Sequence, residues 1–368
     1  MHSEYGGRTS KLREKMKQKG VNLCIITGPS NVYYFTGFDS GTLIVPLDGE
    51  PLLLVSRLEY TRALDYSYVK NIVAYSPYLK EKAEGEKVIF KKRSEIVLDI
   101  VRDLKKGVVA CYPGDLRELS SQKEKIPDVE FKDATPLVSA LREIKSPTEI
   151  EIIRKASEIT GKALEVALES LKEGVREIDI VAEVLYVFSK HEAYPAFPPI
   201  VASGPNSAYP HAKPGRRRIE KGDFVVIDIG AKYMGYCADM TRTVIIGEPS
   251  EKQKRIFEAV IEAQERALGV LREGASAIGV DNVARDVIRK YGYAPYFNHS
   301  LGHGVGLDVH ESPTLAPSDK DKILKEGMVV TVEPGVYIHR YGGVRIEDTV
   351  LVRKNGFEQL TVFEKRLL

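Results

Sequence analysis

Two segments of this chain occur twice. LKEGVREI (171–178) returns one hundred residues later as LREGASAI (271–278), and GDFVVIDIG (222–230) returns 105 residues later as GMVVTVEPG (327–335). Around each copy the pattern reads helix, turn, helix, strand hairpin. A supersecondary unit carried twice in the same order constrains the chain to fold both copies alike and pack them as one pseudo-twofold α+β domain.

The repeat aligns acids. Asp228 falls on Glu333, each at the inner end of an apolar strand. The strands then turn and return, the first as CADMTRT with Asp239 two residues before Thr241, the second as VRIEDTV with Glu347 two residues before Thr349. On this reading Asp239 matches Glu347 and the second turn is three residues longer. A turn around Tyr233 and Met234 would set Asp228 opposite Asp239, with Cβ atoms about 4.5–5.5 Å apart. Two carboxylates 4 Å apart repel by about 4 kcal/mol at an effective dielectric near 20. If the hairpins meet, four carboxylates converge and need neutralising. Two divalent cations would do so, and would take a nitrogen ligand as well.

NHSLGHGVGLDVHE (298–311) offers one. It holds three of the chain's seven histidines, His299, His303 and His310, among Gly302, Gly304 and Gly306. Each interior glycine costs a helix about 1 kcal/mol relative to alanine, so the segment reads as backbone kept bare for close approach. Taken singly, each piece has an ordinary explanation: an Asp at a strand end caps a turn, and Glu333 before Pro334-Gly335 is turn chemistry. Together they favour a two-metal site. Arg345, two residues before Glu347, would share its strand face and orient it.

The first part of the chain reads as α/β. TSKLREKMKQKG is a helix closed by Gly20, VNLCIIT a buried strand, and GTLIVPLDGEPLLLVS two strands joined at Asp48-Gly49. At 368 residues the chain is too long for one ordinary core, which predicts two domains. Ser146, Pro147 and Glu149 form a capping box with a proline start. A long helix should run from there to about Lys172, so the domains are read as 1–143 and 144–368. With 54 basic and 52 acidic residues the net charge is +2, no nucleic-acid footprint. GRRRIEKGD (215–223) reads as a solvated loop. No apolar run approaches the ~20 residues of a membrane span, and the N-terminus lacks the apolar core of a signal peptide. Three widely spaced cysteines form no metal or redox motif, which fits a cytoplasmic protein.

These motifs carry a resemblance. DIG at Asp228, ADMTRT at Asp239, GHGVGLDVHE at His303, TVEPG at Glu333 and RIEDT at Glu347 resemble the pita-bread metallopeptidases: methionine aminopeptidase, aminopeptidase P, prolidase and their metal-free relative creatinase. All five family ligand positions are present in order. The N-terminal part resembles the creatinase-like α/β domain that methionine aminopeptidase lacks. The chain length and NVYYFTGF (31–38) point to the proline-specific branch. The resemblance implies an enzyme that cleaves Xaa-Pro peptide bonds, an Xaa-Pro dipeptidase (prolidase), by attack of a hydroxide bridging two divalent metals, Mn or Co with Zn or Fe as alternatives. Asp228 would chelate one metal, His303 and Glu333 the other, and Asp239 and Glu347 would bridge both. Glu333 would accept a proton, His211 and His310 would bind substrate and stabilise the tetrahedral intermediate, and His299 would shape the proline subsite. The substrate would be a small peptide with proline second, and the assembly a homodimer. His2, His191 and His339 are expected at the surface.

One position departs from the pattern. In close prolidase relatives the segment after HE carries an Arg that grips the dipeptide's free carboxylate. Here the segment reads HESPTL, with Thr314 where that Arg is expected. An Xaa-Pro aminopeptidase acting on longer peptides is therefore the alternative. Metal-free members of this fold act as binding modules, but they replace ligands, and none of the five is replaced here.

Overall fold

A computed structural model describes residues 2–319 and 321–367, without the side chains of His2 and Ser3. The surface position expected for the His2 side chain lies outside the described residues. The chain divides into two compact units, Met1–Arg142 and Glu143–Leu368.

In the first unit a seven-stranded mixed sheet runs in the order Val88–Ile89, Ile72–Tyr75, Leu52–Ser56, Thr42–Pro46, Leu23–Ile26, Gly107–Cys111, Val129–Asp133. The pair joined through Asp48-Gly49 is antiparallel, with Thr42 opposite Leu54. Gly49 takes φ 105°, which a side chain would resist. Leu23–Ile26 is buried at every position, the mark of a strand covered on both faces. Ile25, Ile44, Leu54, Val97, Val101 and Val109 form the core between sheet and helices.

The second unit holds the repeat. Pro147–Glu169 and Glu177–Lys190 form one helix pair, Glu251–Val270 and Ala277–Lys290 the other. Ser146 with Glu149, and Ser250 with Gln253, close equivalent capping boxes. The first helix stops at Glu169, three residues short of expectation. Gly174 N–H donates to Ile219 C=O at 2.8 Å, and Gly274 N–H to Leu324 C=O at 2.9 Å. Each half has its own core, Leu164, Ile180, Phe188 and Ile227 in one and Val260, Val280, Ile288 and Val330 in the other.

The hairpins correct the expected register. In the first, Tyr233 pairs with Tyr236 around Met234-Gly235, so Asp228 lies opposite Thr241 and not Asp239. Met234 and Gly235 both take positive φ, 46° and 86°, the geometry of a tight two-residue hairpin turn that a glycine in second place favours. Asp239 keeps to the same face, two residues nearer the turn. In the second hairpin Ile338 pairs with Gly342, so the loop is one residue longer than the first, not three. Val332 pairs with Asp348 and Gly335 with Arg345, which sets Glu333 at the register position opposite Glu347.

The hairpins meet along their return strands. Thr349 Oγ1 donates to Asp239 C=O (2.7 Å) and accepts from Asp239 N–H (3.3 Å). Thr243 Oγ1 does the same with Arg345, at 2.8 and 3.0 Å. Thr243 is thus the structural mate of Thr349, Arg345 of Asp239, and Glu347 of Thr241, correcting the match of Asp239 with Glu347. Arg242 and Asp348, also mates, join the halves in a buried ion pair at 2.7 Å.

Candidate metal centre

The glycines around His303 answer to close contact. A Cβ at Gly302 would lie 2.0 Å from Thr331 C=O, and one at Gly304 2.4 Å from Ser312 C=O. Bare backbone lets Gly302–Gly304 press between Val329–Val332 and Glu311–Leu315. His303 N–H donates to Thr331 Oγ1 at 3.1 Å, and Thr331 Oγ1 donates to Glu333 Oε1 at 3.1 Å. His303 Nδ1 donates to Gly304 C=O at 3.1 Å, which turns Nε2 toward the acids. Nε2 lies 3.2 Å from Glu333 Oε1 and 3.8 Å from Asp239 Oδ2. Asp239, His303 and Glu347, all buried, offer ligand atoms within 4.8 Å of one another.

These acids are not ordinary carboxylates. Burial raises the pKa of Asp228, and burial and mutual repulsion raise those of Asp239 and Glu347 far more. Burial would raise Glu333 too, but the hydrogen bond and charge of His303, with His299 and Arg345, hold it at about 2. The protein groups around them therefore oppose ionisation of Asp228, Asp239 and Glu347. Asp228 Oδ1, Asp239 Oδ1 and Glu347 Oε1 are buried with no hydrogen-bond partner among the described residues, an expensive arrangement unless something else binds them. Convergent carboxylate oxygens plus one inward-facing imidazole nitrogen fit divalent cations.

From its strand position Arg345 is expected to orient Glu347, but its guanidinium bonds other partners. Nη2 reaches Asp228 Oδ2 at 2.5 Å, Nε reaches Thr241 Oγ1 at 3.1 Å, and Nη1 reaches Tyr337 OH at 2.8 Å. Thr241 in turn donates to Glu347 Oε2 at 2.6 Å. The register explains the difference, because Arg345 lies against Thr243 on the first hairpin, within reach of Asp228. Tyr337 continues the chain of bonds to His299 Nε2 at 3.0 Å, and His299 Nδ1 meets Ser300 C=O at 2.8 Å. Arg345 only donates and a carbonyl only accepts, so Nδ1 carries a proton, and the Tyr337 hydroxyl, which takes the guanidinium's bond on its oxygen, has its own proton free for Nε2. Burial lowers the pKa of His299, which favours the neutral ring. Neither Thr241 nor Tyr337 was singled out from sequence. Thr241 stood inside the ADMTRT motif, whereas Tyr337 looked like any strand aromatic.

All nine residues singled out from the sequence line one cavity of about 1000 Å³: the five metal candidates together with His211, His299, His310 and Arg345. His211 and His310 are exposed at its rim. The His310 ring lies 4.1 Å from that of His303, and burial with the nearby His303 lowers its pKa. Thr314 also lines the cavity. Of the remaining histidines, His339 is exposed. His191 is half-buried instead, capping a helix through Nδ1 to Val187 C=O at 3.0 Å. No described helix is long and apolar enough to cross a membrane.

Residues 151–354 match the model of metallopeptidase family M24, and 8–144 that of the creatinase/prolidase N-terminal domain. An Xaa-Pro dipeptidase of Pyrococcus furiosus is 43% identical over 98% of this chain and 99% of its own. The crystal structure of the prolidase from Pyrococcus horikoshii is similar at a TM-score of 0.86 and 39% identity, covering 98% of this chain and 100% of that one. An X-Pro aminopeptidase from Thermotoga maritima is similar at 0.85 and 32%, covering 98% of each chain.

Proposed function

Since this chain belongs to metallopeptidase family M24, we propose that it is an Xaa-Pro dipeptidase, with residues 1–143 as a creatinase-like domain and 144–368 as the catalytic pita-bread domain. The observation that carries this reading is that Asp228, Asp239 and Glu347 each bury a carboxylate oxygen with no hydrogen-bond partner among the described residues, two of these acids being clustered with His303. Asp228 would hold one divalent ion, His303 and Glu333 the other, and Asp239 and Glu347 both. Two divalent ions held by these residues would supply Lewis-acid polarisation of the scissile carbonyl and a water activated near neutral pH. The donor set suits Mn or Co, with Fe or Zn as alternatives.

The chain's own residues do the rest. Glu333, beside His303 Nε2 at 3.2 Å, would accept the proton of the attacking water. His211 and His310, at the rim, contact the substrate and donate to the oxygen that gains charge as the tetrahedral intermediate forms. His299 has both nitrogens engaged, so it presents a ring face to proline. A prolyl amide has no N–H and a fixed φ, and such a site reads the ring by shape. The enzyme acts in the cytoplasm as a homodimer on small peptides with proline second.

Thr314, uncharged at the cavity wall, favours a second reading, an aminopeptidase accepting longer Xaa-Pro peptides. The test is kcat/KM for Met-Pro, Met-Pro-Ala and Met-Ala with Mn or Co. Met-Pro is expected to be best. A lead of about tenfold for Met-Pro-Ala, ~1.4 kcal/mol in transition-state binding, would select the aminopeptidase. Equal rates on Met-Ala would reject proline specificity.

A further inference from the structure

A dipeptide ending in proline brings a carboxylate into a cavity whose wall includes Asp228, Asp239, Glu311, Glu333 and Glu347. A carboxylate drawn out of water needs a cationic partner. Among the described residues two lysine or arginine side chains line the cavity, Lys213 and Arg345. Arg345 is 3% exposed and its guanidinium is already bonded to Asp228, Thr241 and Tyr337. The nearby Lys145 is likewise committed, buried against Glu311 at 2.7 Å. Lys213 is exposed, and its ammonium has no ion pair or hydrogen bond among the described residues.

Its backbone is held. Ala212 N–H closes a turn on Tyr209 C=O at 3.1 Å. On the other side Gly215 N–H donates to buried Glu177 Oε2 at 3.1 Å, while Ile178 N–H donates to Gly215 C=O at 3.2 Å. The loop that sets His211 at the rim therefore sets Lys213 there too, two residues on.

Resting on the dipeptidase reading, we propose that Lys213 is the specificity residue that grips the free carboxylate after proline, the role Thr314 cannot fill. An ammonium on a flexible stem is a point charge, not a fork. It can turn aside for a longer peptide, so the preference for dipeptides is graded and not absolute.

The experiment compares wild type, Lys213→Met and Lys213→Arg on Met-Pro and Met-Pro-amide, which lacks the carboxylate charge. In Lys213→Met the ratio of kcat/KM for Met-Pro over Met-Pro-amide should fall about tenfold, as for loss of one charge-assisted bond. The loss should sit in KM for Met-Pro and not in kcat. Lys213→Arg should restore most of the ratio. Calorimetry should show weaker binding of L-proline, but not of L-prolinamide, to Lys213→Met. An unchanged ratio, or equal losses on both substrates, would overturn the proposal while leaving the dipeptidase reading intact. Failure of wild type to cleave any Xaa-Pro substrate would overturn both.

Discussion

Arg345 Nη2 lies 2.5 Å from Asp228 Oδ2, so an arginine of the candidate metal centre holds a residue of the opposite repeat. Removing one partner of a buried ion pair typically costs about 3–5 kcal/mol. Arg345→Met should therefore lower the melting temperature and weaken metal binding about 10–100-fold. Arg345→Lys should recover little, because a point charge cannot serve Asp228, Thr241 and Tyr337 together. Calorimetric metal titration checks this, and full recovery by lysine would contradict it.

Metal content should be two divalent ions per chain. Asp239→Asn keeps the shape but removes a ligand charge, and should leave one ion or none with activity down at least about a hundredfold. Elemental analysis of wild type and variant decides the matter. A stripped sample that retains full activity would end the metallopeptidase reading.

The metal-stripped protein should lose stability as pH rises. Asp228, Asp239 and Glu347 have raised native pKa values, while their unfolded values lie near 4. Above that range the native state holds more protons than the unfolded one, so stability falls with pH until the raised values are passed. Glu333 acts oppositely: held at about 2, its contribution is complete above the ordinary range and fades only as pH falls toward that value. Three groups outweigh one. The urea midpoint of stripped protein should drop from about pH 5 to about pH 8, and metal should flatten that slope. A stripped midpoint that climbs with pH would refute the burial argument.

Tyr337→Phe removes one hydroxyl and two hydrogen bonds, to Arg345 and to His299. Stability should fall by about 1–2 kcal/mol. His299 Nε2 would lose its donor, the ring would be freer to turn, and KM for Met-Pro should rise more than kcat falls. Steady-state kinetics read that split. Unaltered kinetics would make Tyr337 a packing residue only.

The acids and His303 were legible because few patterns put carboxylates in duplicated hairpins and a histidine among glycines. The register was not. A slip of one residue turns every side chain to the other face, but a slip of two leaves each on its own side. Thr241 and Thr243 both resemble Thr349, and the in-out pattern cannot choose between them. The choice rests on Met234-Gly235, whose positive φ values fix a two-residue loop. Tyr337 was illegible for another reason: it is 6% exposed, and sequence gives a buried tyrosine in an apolar strand no mark of a polar task.

The seam between the repeats has a consequence for the life of the chain. Asp228 and Asp239 belong to the half made first, and His303, Glu333 and Glu347 to the half made last. The Arg242–Asp348 pair and the two threonine clasps close only when both halves are docked. A nascent or half-folded chain therefore never presents a complete cutting edge. Hydrolytic power arrives with the final act of assembly, and the fold is its own safety catch.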